Sequence, residues 1–342
     1  MRQDVSKVLI AGGTGFIGYH AALLFLSKNI DVSTIALPNE IDLEGWYPPQ
    51  INLMTGNLFE MSMDEITLLV KNHNFDTFVY ALGPDDRTLP IGDAFAFFHE
   101  KLVVQSTKIC QAIKNAGIKR CIVLSSYFAH FDRIYHNSLS KHHPYIRARM
   151  QQQFSLFELT NRGTFDVMML ELPFIFGTMP NRVPLWREHF LSLFDGMKKL
   201  YFPKGGGTSV ISVEGVAEAI VATAFYGESN TCYPIGIQNM TYRHLIETMT
   251  SMIGDKRQFV GVPAWITAIG AAKLDKKMLK DGKQSGLNHR LLMTDILNKL
   301  FYIDPDFMKE RLHFEELGFV GGIDIYKSLA DTMKACYPEK FN

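Results

Sequence analysis

The sequence of 342 residues predicts an α/β protein: a doubly wound parallel sheet followed by a smaller, mainly helical C-terminal lobe. Three observations predict it. Apolar runs of strand length alternate with helical patterns through the first half, a glycine-rich turn joins the first strand to the first helix, and past Gly177 the alternation gives way to a looser, Met-richer, largely helical pattern.

Taken in order, Val8 to Ala11 reads as the first strand, Tyr19 to Ser27 as a helix and Val32 to Leu37 as the second strand. Further strands are expected at Asn52 to Thr55, Thr77 to Ala81, Arg120 to Leu124 and Asp166 to Leu172. The segments between them, Met63 to Asn72, Phe97 to Asn115 and Tyr145 to Asn161, carry the period of crossover helices. Pro203 to Gly207 is a breaker before a short strand at Ser209 to Ser212, then a helix at Glu214 to Phe225 and a strand-like Tyr233 to Ile237. A dinucleotide-type domain over 1–178 is expected, with 208–237 returning to it and with 179–207 and 238–342 forming a substrate lobe.

Composition narrows the function. Lys plus Arg total 35 and Asp plus Glu total 35, so there is no basic excess for gripping nucleic acid or an anionic membrane, and neither is expected as a partner. The partners expected are a small-molecule substrate and, should the protein be a homodimer, a second copy of the chain. Cys110, Cys121, Cys232 and Cys336 show no metal-ligand spacing and read as reduced thiols of a cytoplasmic protein. Met1 to Ser6 is polar and lacks the pattern of a signal peptide. The apolar stretch Phe259 to Leu274 is too short to span a bilayer and reads as a buried or lobe-contacting helix, with Trp265 packed between lobes.

The sharpest motif is Gly13-x-Gly15-x-x-Gly18, within Ala11-Gly12-Gly13-Thr14-Gly15-Phe16-Ile17-Gly18. It follows an apolar strand and opens a helix, where glycines permit a tight turn and close backbone approach while unpaired N–H groups face a pyrophosphate. This is the Rossmann arrangement for a dinucleotide. The acid that grips the NAD ribose about 20 residues on is absent, since Ala36, Leu37 and Pro38 stand at the end of the second strand and Glu40 and Asp42 come after it. No Arg stands there for a 2′-phosphate either, so the cofactor is read as NAD or NADP.

From Lys7 to about Gly318 the chain resembles the extended or atypical short-chain dehydrogenase/reductases, the NAD-dependent epimerase/dehydratase family. Gly12-x-x-Gly15-x-x-Gly18 is similar to the family's glycine signature, and Gly56-Asn57-Leu58 resembles its G-D-[LI] segment. Tyr80-Ala81-Leu82-Gly83 resembles the H-L-A-[AG] stretch, and Ala116-Gly117-Ile118-Lys119-Arg120 leading to Leu124-Ser125-Ser126 resembles A-G-V-K-R…S-S. Pro144-Tyr145-Ile146-Arg147-Ala148-Arg149 is similar to P-Y-x-x-[ST]-K, Leu172-Pro173-Phe174-Ile175-Phe176-Gly177 to R-P-x-x-V-Y-G, and Ile211 to Ala217 to I-H-V-x-D-V-A. The resemblance implies cofactor contacts at Gly12 to Gly18, at Asn57 and Leu58, at Ala81, Leu82 and Gly83, and at Ser125, Tyr145, Arg149 and Pro173.

It also implies the chemistry. Tyr145 becomes the general acid/base, Ser126 the hydroxyl that orients the same oxygen, and Arg149 occupies the place of the family's Lys. A phenol near pKa 10 needs a cation beside it to exchange protons near neutrality, and Arg supplies the charge but cannot relay a proton. Leu102 stands where many relatives carry Asn, while Phe174 and Thr208 stand where nucleotide-sugar epimerases carry Asn and Arg. Those exchanges favour a smaller or more apolar carbonyl substrate, with Phe174, Phe176, Trp186 and Phe190 near the cleft, although such aromatics more often fill a core. Remaining cations for a diphosphate are Arg182, Arg187 or Arg243, none diagnostic. The reading is therefore an NAD(P)-dependent oxidoreductase acting on a carbonyl or secondary alcohol of a small or sugar-like substrate. Its alternatives are a nucleotide-sugar epimerase or dehydratase and a non-catalytic NAD(P)-binding sensor. His142-His143 reads as a polar loop before a helix, not a metal pair, and Gly205 to Gly207 as a turn.

Overall fold

The computed structural model describes residues 2–38, 43–189, 197–255 and 257–341. Glu40, Asp42 and Phe190 lie outside them. In chain order the first half contains β1 (Lys7–Ala11), α1 (Phe16–Ser27), β2 (Asp31–Ala36), β3 (Asn52–Thr55), α2 (Met63–Lys71) and β4 (Thr77–Tyr80). There follow α3 (Ala94–Phe98), a π turn (His99–Val104), α4 (Gln105–Asn115), β5 (Arg120–Ser126), α5 (Tyr127–Ile134), α6 (Pro144–Glu158), β6 (Asp166–Leu172) and β7 (Phe174–Phe176). The rest comprises α7 (Trp186–His189), β8 (Lys199–Pro203), β9 (Gly207–Ser212), α8 (Val213–Tyr226), β10 (Thr231–Pro234), β11 (Gln238–Thr241), α9 (Tyr242–Met252), β12 (Gln258–Val262) and α10 (Ala264–Lys280). It ends with α11 (His289–Asp295), β13 (Leu300–Phe301), α12 (Pro305–Arg311), α13 (Phe314–Leu317) and α14 (Ile325–Cys336).

Among the described residues the central sheet has seven strands, all parallel, in the order β10-β6-β5-β4-β1-β2-β3. This is the Rossmann-type doubly wound sheet expected. Both faces of the central strands β4 and β5 are buried, which is why they read as continuous apolar runs instead of alternating ones. On one face Val8, Ile10, Val79 and Ile122 pack with Ala21, Ala22 and Phe25 of α1 and Ile220 and Ala224 of α8. On the other, Leu9, Phe78, Cys121 and Val123 pack with Ile66 and Val70 of α2 and Ile109 and Ile113 of α4. Arg120 ties the two layers, its Nη2 donating to Thr223 O at 3.0 Å and Gly227 O at 2.8 Å.

Beyond this sheet, β9 pairs with β7, β11 and β13, and β8 pairs with β12. The region from Tyr242 onward is mainly helical, as the loss of strand patterning implies. Three local expectations change. The strand placed at Tyr233 to Ile237 begins two residues earlier as β10, in register with β6. The segment Phe259 to Leu274 is not one helix: its start is β12, and α10 buries only Ala268. Trp265 does not pack between lobes, being 64% exposed. All four cysteines are free, yet Cys110 and Cys121, 11 residues apart in sequence, meet in the core with Sγ atoms 3.6 Å apart.

Candidate active site

The carboxyl ends of β1, β4 and β5 open on one edge of the sheet, and the loops leaving them build the site. After β1 the chain turns through Gly12, whose φ of +88° a side-chain-bearing residue rarely adopts, and Gly15 N donates to Gly12 O at 3.0 Å. A Cβ on Gly12 would lie 2.6 Å from Ala81 O, on Gly13 2.1 Å from Thr34 Cγ2, and on Gly18 2.2 Å from Gly12 O. Three of the glycines are thus imposed by the chain's own packing. Gly15 differs, since its Cβ would meet only Gly12 O, at 3.2 Å. It faces open space at the start of α1, whose first turn has neither a side-chain cap nor an acid. An uncapped helix end behind a glycine that leaves room for a ligand fits a dinucleotide pyrophosphate. Thr14 is buried, while Phe16 and Ile17 begin the helix half-buried.

Further along the same edge, Asn57 folds its side chain to accept from Phe59 N at 3.2 Å, and Leu58 is buried. Ala81 N donates to Ala11 O at 3.0 Å, which holds Ala81, Leu82 and Gly83 against the glycine turn. Gly83 has φ +108°, and a Cβ there would lie 2.9 Å from Leu102 Cδ2. Leu102 is fully buried and sits in the π turn, a one-residue bulge in the helix of a kind frequent beside functional sites. The Ser125 and Tyr80 hydroxyls are buried without a protein partner, polar atoms left for something else to satisfy. Pro173 is buried just past β6.

The catalytic candidates converge. Tyr145 and Arg149 occupy one face of α6 at i and i+4, and Arg149 Nε donates to Tyr145 OH at 3.0 Å. The guanidinium also donates from Nη1 to Gln152 Oε1 at 2.8 Å and to Leu124 O at 3.3 Å, which locks it to β5. Both residues are nearly enclosed, at 3% and 6% exposure. Ser126, at the end of β5, accepts from Phe128 N at 3.3 Å as the N-cap of α5, so its own proton stays free to donate. Burial raises the Tyr145 pKa and outweighs the lowering by Arg149, while the nearby Asp86 raises it further. Tyr145 therefore stands as a phenol at neutral pH. Arg149 favours the phenolate, as expected of a cation beside it, but does not offset the burial.

Asp86 is the residue sequence reasoning missed. It lies on the loop after β4, half-buried, in electrostatic reach of Tyr145 and Arg149 on α6, Tyr127 on α5 and Tyr242 on α9. Its neighbour Arg87 is taken by Asp85, with Nε donating to Asp85 Oδ2 at 3.0 Å. Burial, then repulsion from Asp85, pushes Asp86 up to about 6, against the pull of Arg87 and Arg149. The sequence held one signal, the run Asp85-Asp86-Arg87 directly after Gly83. Missed too were Trp46 and Tyr47: the Tyr47 hydroxyl donates to Gly13 O at 3.2 Å and shares a 3.0 Å hydrogen bond with Thr34, beside the place of the absent ribose-binding acid.

The surroundings of Thr208 and Phe174, expected near a substrate, are closely packed. Thr208 is fully buried, its hydroxyl 2.9 Å from Tyr127 OH, and Phe174 packs against Tyr127, Trp186 and Tyr242. Phe176 is fully buried and stacked on Trp186 at 4.5 Å. Phe176 thus belongs to the core, and Phe174 and Trp186 pack against it half-buried. His143 is likewise buried, accepting from Asn288 N at 3.1 Å, and burial lowers its pKa to about 4. His142 instead meets Asp295 Oδ2 at 2.9 Å. Among the described residues no three His, Cys, Asp or Glu side chains converge as a metal site.

The sequence model of the NAD dependent epimerase/dehydratase family matches residues 8–231. The chain belongs to that family. NAD(P) is the family's cofactor, and the glycine turn, the uncapped α1 and the unpartnered Ser125 hydroxyl fit it. No curated protein sequence matches the chain. Solved structures similar in fold include gox2253, 16% identical over 98% of both chains with a TM-score of 0.73. Another is the UDP-glucose-4-epimerase of Stenotrophomonas maltophila with bound NAD and formylated UDP-arabinopyranose, 16% identical over 98% of this chain and 99% of that one, TM-score 0.66. A third is the NAD-dependent NDP-hexosamine 5,6-dehydratase TunA, 14% identical over 96% and 97%, TM-score 0.62. Identities this low show a shared fold of this epimerase/dehydratase member, and nothing finer.

Proposed function

We propose that this protein is an NAD(P)-dependent oxidoreductase acting on the carbonyl or secondary alcohol of a small or sugar-like substrate. The observation that carries the reading is the 3.0 Å hydrogen bond from Arg149 Nε to Tyr145 OH at the same sheet edge as the glycine turn. When bound, the dinucleotide supplies or accepts a hydride at the substrate carbon. The uncapped end of α1 holds its pyrophosphate, and Ser126 donates a hydrogen bond to the substrate oxygen. Tyr145, a phenol at neutral pH, gives its proton to that oxygen in reduction; in the reverse direction it must first lose that proton to solvent, and its phenolate then takes the hydroxyl proton. Arg149 offsets the phenolate charge that follows and stays protonated throughout.

Tyr145→Phe removes the proton while keeping the ring. Loss of a general acid/base costs about 10²–10⁴-fold in turnover, so carbonyl reduction by the variant is expected to fall by at least the lower figure with cofactor binding unchanged. Undiminished turnover of a substrate that the wild type reduces would remove Tyr145 from the mechanism.

A second reading, a nucleotide-sugar epimerase or dehydratase, draws support from neighbours crystallised with UDP-sugars. The fully buried Thr208 weighs against a diphosphate in the expected place. Thermal stabilisation by a UDP- or dTDP-sugar, with retained cofactor and no net NADH, separates the two.

A further inference from the structure

Helix α10 is 17 residues long and buries one of them, Ala268. Ala264, Ala268, Ala271 and Asp275, spaced three and four apart, turn inward, and Asp275 Oδ1 bonds His289 of α11 at 2.6 Å. The adjoining face looks outward and changes character along its length. Its first half carries Trp265, Ile266 and Ile269, exposed by 64%, 42% and 56%. Its second half carries Lys273, Lys276, Lys277 and Lys280, all exposed and without an ion pair among the described residues. No carboxylate shares that face, since Asp275 points to His289 and Asp281 lies past the helix end. Beside it runs a groove of about 640 Å³ between α10 and α11, with Trp265, Ile269 and Ala272 in its wall and Lys273, Lys276 and Arg290 at its rim.

A contiguous apolar patch of this kind requires an occupant. The geometry points to α10 as a docking surface for an anionic lipid bilayer, the Trp265 half entering the interface and the lysine half resting on the headgroups. Charge complementarity selects this occupant. A second copy docked by the same face would bring the unneutralised lysine row up to its own symmetry mate with no acid to receive it. Trp and Ile beside Lys on one short helix are the composition of a segment lying in the membrane plane, and a lysine stem places its ammonium at headgroup level while covering apolar surface. No described helix is long and apolar enough to cross a membrane, so the contact is peripheral. The neutral total of 35 against 35 hides it, because the field that a surface feels is local. The loop after α10 runs to the active site, where Gly286 O accepts from Tyr145 N at 2.9 Å and Gly282 O from Gly92 N at 2.8 Å.

The test is flotation of the intact protein with two kinds of vesicle, phosphatidylcholine alone and phosphatidylcholine with phosphatidylserine, at low and high salt. Binding to the anionic vesicles only, reversed by salt, with a blue shift of Trp fluorescence lost in Trp265→Phe, is the expected result. Replacing Lys273, Lys276 and Lys277 by Glu is expected to lower partitioning by more than a hundredfold, at roughly fivefold for each lysine removed, with circular dichroism unchanged. Ile269→Ser should weaken binding without altering its salt dependence. Absence of binding to anionic vesicles overturns the proposal, as does equal binding by the lysine variant. A dimer that dissociates on Ile269→Lys, in a protein that binds neither vesicle, assigns the face to a second copy instead.

Discussion

At the scale of the residue, the pair that matters is Tyr145 and Asp86. A half-buried carboxyl held near pH 6 is one that the fold does not welcome in its charged form. For an acid whose pKa is raised on folding, the protonated form is the one the folded state favours. Its contribution to stability is fully present below the unfolded value of about 4 and is lost as pH rises through about 6. Asp86→Asn is therefore expected to stabilise the protein at pH 8 by about 1–2 kcal/mol and to change little at pH 4, as read by urea unfolding at each pH. The same substitution removes the charge that opposes the Tyr145 phenolate, so the Tyr145 titration should move to lower pH. Carbon NMR of ring-labelled tyrosine, with the signal assigned by Tyr145→Phe, checks this. An unmoved Tyr145 titration would show that the two groups are not coupled.

At the scale of the element, the β1–α1 turn separates what glycine does for the fold from what it does for the ligand. A methyl at Gly18 collides with backbone at 2.2 Å and one at Gly13 with a β-branched side chain at 2.1 Å. Relief needs movement of β2 or of the helix itself. Overpacking of this order costs about 1–3 kcal/mol, so Gly18→Ala should lower the thermal midpoint measurably. Gly15→Ala meets one contact at 3.2 Å, and is expected to leave the midpoint nearly unchanged while weakening NAD(P) binding in a calorimetric titration. Equal destabilisation by both would mean that Gly15 is as structural as its neighbours. Helix α6 makes a related point, since Tyr145 and Arg149 were legible together because four residues of helix place them on one face. That α5 begins by capping itself on Ser126 was not legible, for the cap depends on where β5 stops.

At the scale of the whole molecule, the charge that sums to zero is arranged unevenly. Lysines gather on α10, while acids and an arginine meet at the loop after β4. One charge pair joins the layers: Arg133 donates twice to the buried Glu171, at 2.8 and 2.7 Å, tying α5 to β6. The alternation of strands and helices, the glycine turn and the i, i+4 pair on α6 were determined by the sequence alone. Each is a local pattern, set by side-chain period or by backbone conformation within a few residues. Only the tertiary structure decided the rest. Tyr127 and Thr208 are 81 residues apart before their hydroxyls meet, and Asp86 gains its raised pKa from burial, which outweighs the lowering by Arg149 on α6. Trp265, apolar and so expected inside, stands in solvent because the inward side of α10 is already filled by small residues against α11. Burial and the field at a group depend on what distant segments bring to it, and no local period encodes that.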